Sequence, residues 1–218
     1  MFDFSIYDYL IFDCDGVILD SNRLKSKAFA DALPGEPIQL VQSFVDYHQK
    51  RGGISRYEKF SHYFKNIKKS PDAVKETNVA LGKFSTIVKK GLIECDYVPG
   101  VLEFVKQANS LGIPLFVVSG SDEKELIGVF RQRGILNLFE NIYGSPANKE
   151  DNTAKVVKKI SDRRRGCFFG DSKSDYVAAS KYRLDFVFVS GLSEWKDLDD
   201  TTSESFQSVI TNFCEFKT

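Results

Sequence analysis

Short, nearly unbroken apolar runs punctuate the chain and predict its strands. They are Tyr9-Leu10-Ile11-Phe12, Leu115-Phe116-Val117-Val118, Cys167-Phe168-Phe169 and Phe186-Val187-Phe188-Val189, with a weaker one at Asn141-Ile142-Tyr143. Continuous apolarity, rather than alternation, marks strands covered on both faces, as in a parallel sheet. Between these runs the apolar positions recur at helical spacing. Val101, Leu102, Val105 and Ala108 share one face, Leu126, Ile127 and Phe130 another, and Val156, Val157 and Ile160 a third. Strand and helix in alternation is the pattern of a doubly wound α/β fold.

From Asn22 to Cys95 the pattern changes. No strand is predicted there, only helical periodicity: Val41, Phe44, Val45 and His48 on one face, then Phe60, Tyr63, Phe64 and Ile67 on another. Pro71-Asp72 reads as the start of a third helix, with Pro at an early helical position. The expected fold is therefore α/β: a Rossmann-like, doubly wound parallel sheet from residues 1–21 and 96–218, with an inserted α-helical cap from 22–95. No internal repeat or low-complexity segment interrupts it.

Composition narrows the class without naming a function. At 218 residues the chain suits one domain with a modest insert, and 42% hydrophobic residues suffice for a sizeable core. Thirty Lys+Arg offset thirty Asp+Glu, which argues against nucleic acid or an anionic membrane as the main partner. The run Arg163-Arg164-Arg165 is expected to face solvent. No apolar run approaches the roughly 20 residues that span a bilayer. Met1-Phe2-Asp3-Phe4 lacks the basic start and cleavage site of a signal peptide. Cys14, Cys95, Cys167 and Cys214 are scattered, without a C-x-x-C pair, so reduced thiols in a cytoplasm are expected. A monomer or weak homodimer is the expected state.

The chemistry sits where the strands end, which is where open α/β sheets bind ligands. The first strand runs into Asp13-Cys14-Asp15-Gly16. Residues two apart on extended chain share a side, so Asp13 and Asp15 can face one site while Cys14 faces the core. The second strand ends in Ser119-Gly120-Ser121-Asp122, a loop after the third carries Lys149, and the fourth ends in Gly170-Asp171-Ser172 with Asp175 beyond it. Taken singly, each acidic residue could be a helix cap. Gathered together, Asp13, Asp15, Asp171 and Asp175 would repel one another unless a hard divalent cation such as Mg²⁺ joined them. Ser119, the backbone beyond it and Lys149 would supply donors and positive charge to a phosphoryl group.

Asp13-Cys14-Asp15-Gly16-Val17, Ser119-Gly120, Lys149 and Gly170-Asp171-Ser172-Lys173-Ser174-Asp175 resemble, in order, the four motifs of the haloacid dehalogenase superfamily. Residues 12–21 are similar to the branch of β-phosphoglucomutases and phosphoglycolate phosphatases, whose helical cap is inserted at this point. The resemblance implies a covalent mechanism, with Asp13 attacking phosphorus and carrying an aspartyl-phosphate. It implies that Asp15 protonates the leaving oxygen and later deprotonates water. To do so Asp15 must keep a proton, through nearby negative charge or desolvation. The implied metal ligands are Asp13, Asp15 through its backbone carbonyl, and Asp171, with Asp175 beside them and paired with Lys149. Relatives that cleave carbon–halogen bonds or phosphonates depart from the D-x-D pattern, so Asp15 favours phosphate esters.

Within the cap, Lys50-Arg51-Gly52-Gly53-Ile54-Ser55-Arg56 resembles the substrate loop of this branch, and Arg51 or Arg56 could hold a distal oxyanion or hydroxyl. A plain interhelical turn with solvated arginines is the alternative. Mutases of the branch carry histidine where this chain has Lys25, which favours net hydrolysis; Lys25 either meets the substrate phosphate or is solvated. His48 and His62 are read as packing or surface residues. The leading expectation is a Mg²⁺-dependent phosphatase acting on a small phosphorylated metabolite such as a sugar phosphate. A phosphomutase, and a non-enzymatic phospho-aspartate switch, are the alternatives.

Overall fold

The computed structural model describes residues 2–160, 164–195 and 198–217. Six parallel strands form its sheet: β1 (Tyr9–Phe12), β2 (Leu115–Asp122), β3 (Asn141–Ser145), β4 (Gly166–Gly170), β5 (Asp185–Val189) and β6 (Ser208–Ile210). Their spatial order is β3-β2-β1-β4-β5-β6, a doubly wound arrangement whose switch point lies beside β1. The parallel α/β fold expected from the unbroken apolar runs is the one observed. β6 was not predicted: it has three residues, and Val209 at its centre is half-exposed, so it carries almost no apolar signature.

Alternate strand residues build two cores. Leu10, Phe12, Val117 and Phe169 face α5 (Val101–Ser110) and α6 (Glu123–Gln132), and that core continues into the helical insert. Tyr9, Ile11, Val118 and Phe168 face α7 (Lys149–Ile160) and α8 (Lys173–Lys181). A further short helix, α9 (Asp200–Glu204), precedes β6. Arg164 and Arg165 pair at the surface with Asp8 and Asp185, while Arg163 lies outside the described residues. Among the described residues no helix is long and apolar enough to cross a membrane.

Between β1 and β2 lie α1 (Asn22–Asp31), α2 (Ile38–Lys50), α3 (Arg56–His62) and α4 (Ala73–Glu94), with a π-helical turn at Tyr63–Ile67 extending α3. The wider π turn still buries Tyr63 and Phe64. An aromatic cluster joins the four helices: Phe29 lies 4.3 Å from Phe84 and 5.3 Å from Phe60, and Phe44 lies 5.3 Å from Phe60. Pro71 stands just ahead of α4 rather than inside it, since Asp72 is the flanking residue and the helix starts at Ala73.

Candidate active site

Asp13 stands one residue beyond β1, its N–H still bonded to Phe169 O at 2.9 Å, so the sheet fixes its position. Its carboxylate accepts from the Cys14 N–H at 2.7 Å and from Lys149 Nζ at 2.8 Å. Lys149 is the first residue of α7 rather than part of a loop, and it also donates to Asp175 Oδ1 at 2.5 Å. Asp175 is aimed by the cap of its own helix. Its Oδ2 accepts the Ser172 N–H at 3.1 Å and the Ser172 hydroxyl at 2.6 Å, closing a capping box at the start of α8. Asp171 accepts from Asn22 Nδ2 at 2.7 Å. Gly16 makes this packing possible. Its φ is +76°, and a Cβ there would run into the Asp171 carboxylate.

The electrostatics favour a cation. Oxygens of Asp13, Asp171 and Asp175 lie within 4.8 Å of one another, all buried, with one ammonium among three carboxylates. Burial pushes Asp13 up to about 7, against the pull of Lys149 and with a further push from Asp175 and Asp15. Burial, then Asp13 and Asp175, hold Asp171 well above the carboxylate range. Burial opposes the charge on Lys149, but Asp13 and Asp175 overcome it and raise its affinity for the proton. Three hard oxygen donors around one ammonium, two of them reluctant to ionise without a further positive charge, fit a divalent cation.

Asp15 occupies a different environment. Its carboxylate meets Lys25 Nζ at 2.5 Å, Ser21 Oγ at 2.5 Å and Ser121 Oγ at 2.8 Å, and Lys25 also donates to Ser121 Oγ. Burial alone would raise its pKa, but Lys25 and the two hydroxyls bring it to about 2. The expectation that nearby negative charge or desolvation keeps a proton on Asp15 is therefore not met in this arrangement: an ammonium and two hydroxyls face it and outweigh its burial. Lys25 is buried on α1 and is not solvated.

Of the second motif, Gly120 and Ser121 line the cavity, while the buried Ser119 hydroxyl accepts the Ser121 N–H at 3.2 Å. The loop between α2 and α3 lies across the site. The Gly53 carbonyl rests where a Cβ on Gly120 would be, and a Cβ on Gly53 would strike Ser174 and Lys149. Arg51 is exposed at the cavity rim. Arg56 is buried and clamps Glu125 of α6 with two bonds of 2.9 and 2.5 Å, its guanidinium 4.7 Å from the Phe84 ring centre. Its donors are thus engaged by the protein itself.

The cavity has a volume of about 530 Å³ and opens to solvent at its rim. Sequence reasoning passed over Ser21, Asn22, Ser121 and Ser172, all of which hold the acidic residues. Ser121 and Ser172 stand inside the strand-end segments Ser119-Gly120-Ser121-Asp122 and Gly170-Asp171-Ser172, whereas Ser21 and Asn22 lie outside them. Also passed over was a cluster around His48 of the buried Lys59 and Ser26 with the half-buried Glu194.

The family described as haloacid dehalogenase-like hydrolase matches residues 10–189. The chain belongs to that family. Solved structures of similar fold accord with the haloacid dehalogenase-like assignment. A predicted phosphoglycolate phosphatase from Haemophilus somnus is 18% identical, with a TM-score of 0.75 over 97% of this chain and 96% of that one. CbbY from Rhodobacter sphaeroides, solved with phosphate, is 17% identical at a TM-score of 0.74 over 96% of each chain. β-Phosphoglucomutase from Clostridium difficile is 17% identical at 0.70, over 96% of this chain and 92% of that one. No curated protein sequence matches the chain.

Proposed function

We propose that this protein is a Mg²⁺-dependent phosphatase that hydrolyses a small phosphorylated metabolite, such as a sugar phosphate, through an aspartyl-phosphate on Asp13. Residues 22–95 act as its cap over a core of 1–21 and 96–218. The observation that carries this reading is the buried Asp13 carboxylate, held by the Cys14 N–H and Lys149, with Asp15 on the wall of the same cavity.

Asp13 forms a bond to phosphorus as the ester P–O bond breaks, and the leaving oxygen takes a proton from Asp15. Water then gives its proton back to Asp15 and attacks phosphorus, which frees the Asp13 carboxylate and inorganic phosphate. Asp15 must first gain a proton. Incoming phosphoryl oxygens compete for Lys25, and a carboxylate stripped of its ammonium beside an anion holds a proton more tightly. Lys149 keeps Asp13 aligned and meets the phosphoryl charge. Mg²⁺ held by Asp13, Asp171 and the Asp15 carbonyl would polarise the phosphoryl oxygens when bound.

Incubation with p-nitrophenyl phosphate and a panel of sugar phosphates tests the reading. Phosphate release is expected with Mg²⁺, is lost with EDTA, and falls at least a thousandfold in Asp13→Asn. Release at the wild-type rate in that variant overturns the covalent scheme. An isomerised sugar phosphate that requires a bisphosphate activator would replace hydrolysis with mutase chemistry.

A further inference from the structure

At the cap side of the cavity lies a polar chain that the hydrolytic scheme leaves unused. Lys59 on α3 is 2% exposed, and its ammonium donates to His48 Nδ1 at 2.7 Å. His48 Nε2 lies 3.0 Å from Ser26 Oγ, which donates to Glu194 Oε1 at 3.1 Å. Gln49 Nε2 also donates to Glu194, at 3.3 Å. Because Lys59 needs an acceptor at Nδ1, the imidazole carries its proton on Nε2 and passes it toward Ser26. The chain thus runs in one direction, from a cation on α3 through a neutral imidazole to a carboxylate following β5.

One of three ammonium donors is spent on His48, and a second has only the His48 carbonyl at 3.5 Å. Among the described residues no carboxylate forms an ion pair with Lys59, in contrast to Lys25 and Lys149, which line the same cavity. A buried charge of this kind is costly unless an anion meets it. Burial, then Lys25, pull its pKa down to about 7, with Lys149 adding to them and Glu194 and Asp15 opposing; burial and Lys59 keep His48 well below its ordinary value. The cavity that Lys59 lines is the one that holds Asp13.

We propose that Lys59, positioned by His48, is the subsite for a second anionic group of the substrate, a carboxylate or a further phosphate remote from the phosphoryl group that reacts at Asp13. This rests on the phosphatase reading for the identity of the reacting end, but not for the binding of the remote one. The substrate class narrows accordingly, from phosphate monoesters in general to those that carry a distal oxyanion. Arg56, held by Glu125, does not compete for it.

The test uses phosphonates, which bind without turnover. With Mg²⁺ present, calorimetry compares phosphonoacetate with ethylphosphonate, phosphonobutyrate with butylphosphonate, and a bisphosphonate with its monophosphonate. At least one doubly anionic member should bind ten-fold or more tighter than its partner, and which one does so separates carboxylate from phosphate. Lys59→Met should erase that preference, and Lys59→Arg should restore part of it; circular dichroism checks that each variant is folded. Where Lys59→Met does not fold, Lys59→Gln replaces it. Equal affinity within every pair, absence of phosphonate binding, or a preference that survives loss of the lysine overturns the subsite. Preferential binding without hydrolysis of any ester would leave the subsite standing and remove the phosphatase reading.

Discussion

Asp13 shows what the site costs a single residue. Its carboxyl in the folded protein is raised to about 7 from an ordinary 3.8, so the folded state binds this proton more tightly than the unfolded chain. Stability from this group therefore falls as pH rises from about 4 to about 7, and stays low above that. Asp13→Asn should raise the melting temperature of the EDTA-treated protein at pH 8 by a few degrees, given the ~2–4 °C that 1 kcal/mol moves a chain of this size. The gain should shrink steadily as pH is lowered toward 5. Millimolar Mg²⁺ should reverse the order, since a cation bound only to the folded state stabilises it, and on the proposed reading the substitution removes a ligand. Thermal melts at the two pH values with and without Mg²⁺ check this; a variant that never exceeds wild type in EDTA refutes it. The acidic half of the site was legible because D-x-D-G and the acidic residues after β4 stand in fixed order at strand ends. The cationic half was legible only in part: Lys149 stands in motif order and Lys25 takes the place of the mutase histidine, with solvation as its alternative. Nothing distinguishes Lys59 from a solvated lysine until α3 turns it inward.

At the scale of elements, the joint between α3 and α6 holds the helical insert against the sheet. Arg56 and Glu125 are 5% and 7% exposed at their side chains, and Ser85 of α4 adds a hydroxyl to Glu125 at 2.9 Å. Tyr57 repeats the contact one residue on, its hydroxyl donating to Asp122 at 2.7 Å. Removing one member of a buried pair strands the other charge, a loss of ~3–5 kcal/mol. Arg56→Met should cost about that much by urea denaturation, and adding Glu125→Gln to the same chain should restore a substantial part. Additive losses would mean the two charges are not coupled. The sequence marked Arg56 as a group for substrate because it follows paired glycines, but its partner lies 69 positions away and only the tertiary fold pairs them. Sheet strands were readable for the opposite reason: burial on both faces writes itself into consecutive residues. β6, with one buried residue in three, had nothing comparable to write.

For the whole molecule, a formal charge of zero conceals a cavity where Asp13, Asp15 and Asp171, with Asp175 buried behind Lys149, confront Lys25, Lys59 and Lys149. Such a concentration of charge works only when water is excluded, because field strength falls in a wet site. Among the contacts between the two parts of the chain, the close approach of the Gly53 carbonyl to Gly120 lies at the strand end, with Gly52 and Gly53 spread over Ser172, Ser174 and Lys149. Side chains at either glycine would hold the loop away from the strand end. The loop and the strand end should therefore open and close together, as one unit with α3 and its clamp on α6. Hydrogen exchange read by mass spectrometry should show peptides covering 50–56 and 119–122 slowing in parallel when Mg²⁺ and orthovanadate are added. In the chain carrying both Arg56→Met and Glu125→Gln, the two peptides should exchange faster together without ligand, because the clamp no longer biases closure. Protection of 50–56 with 119–122 unchanged would separate the two segments, and the Gly53–Gly120 contact would then not be what seals the site.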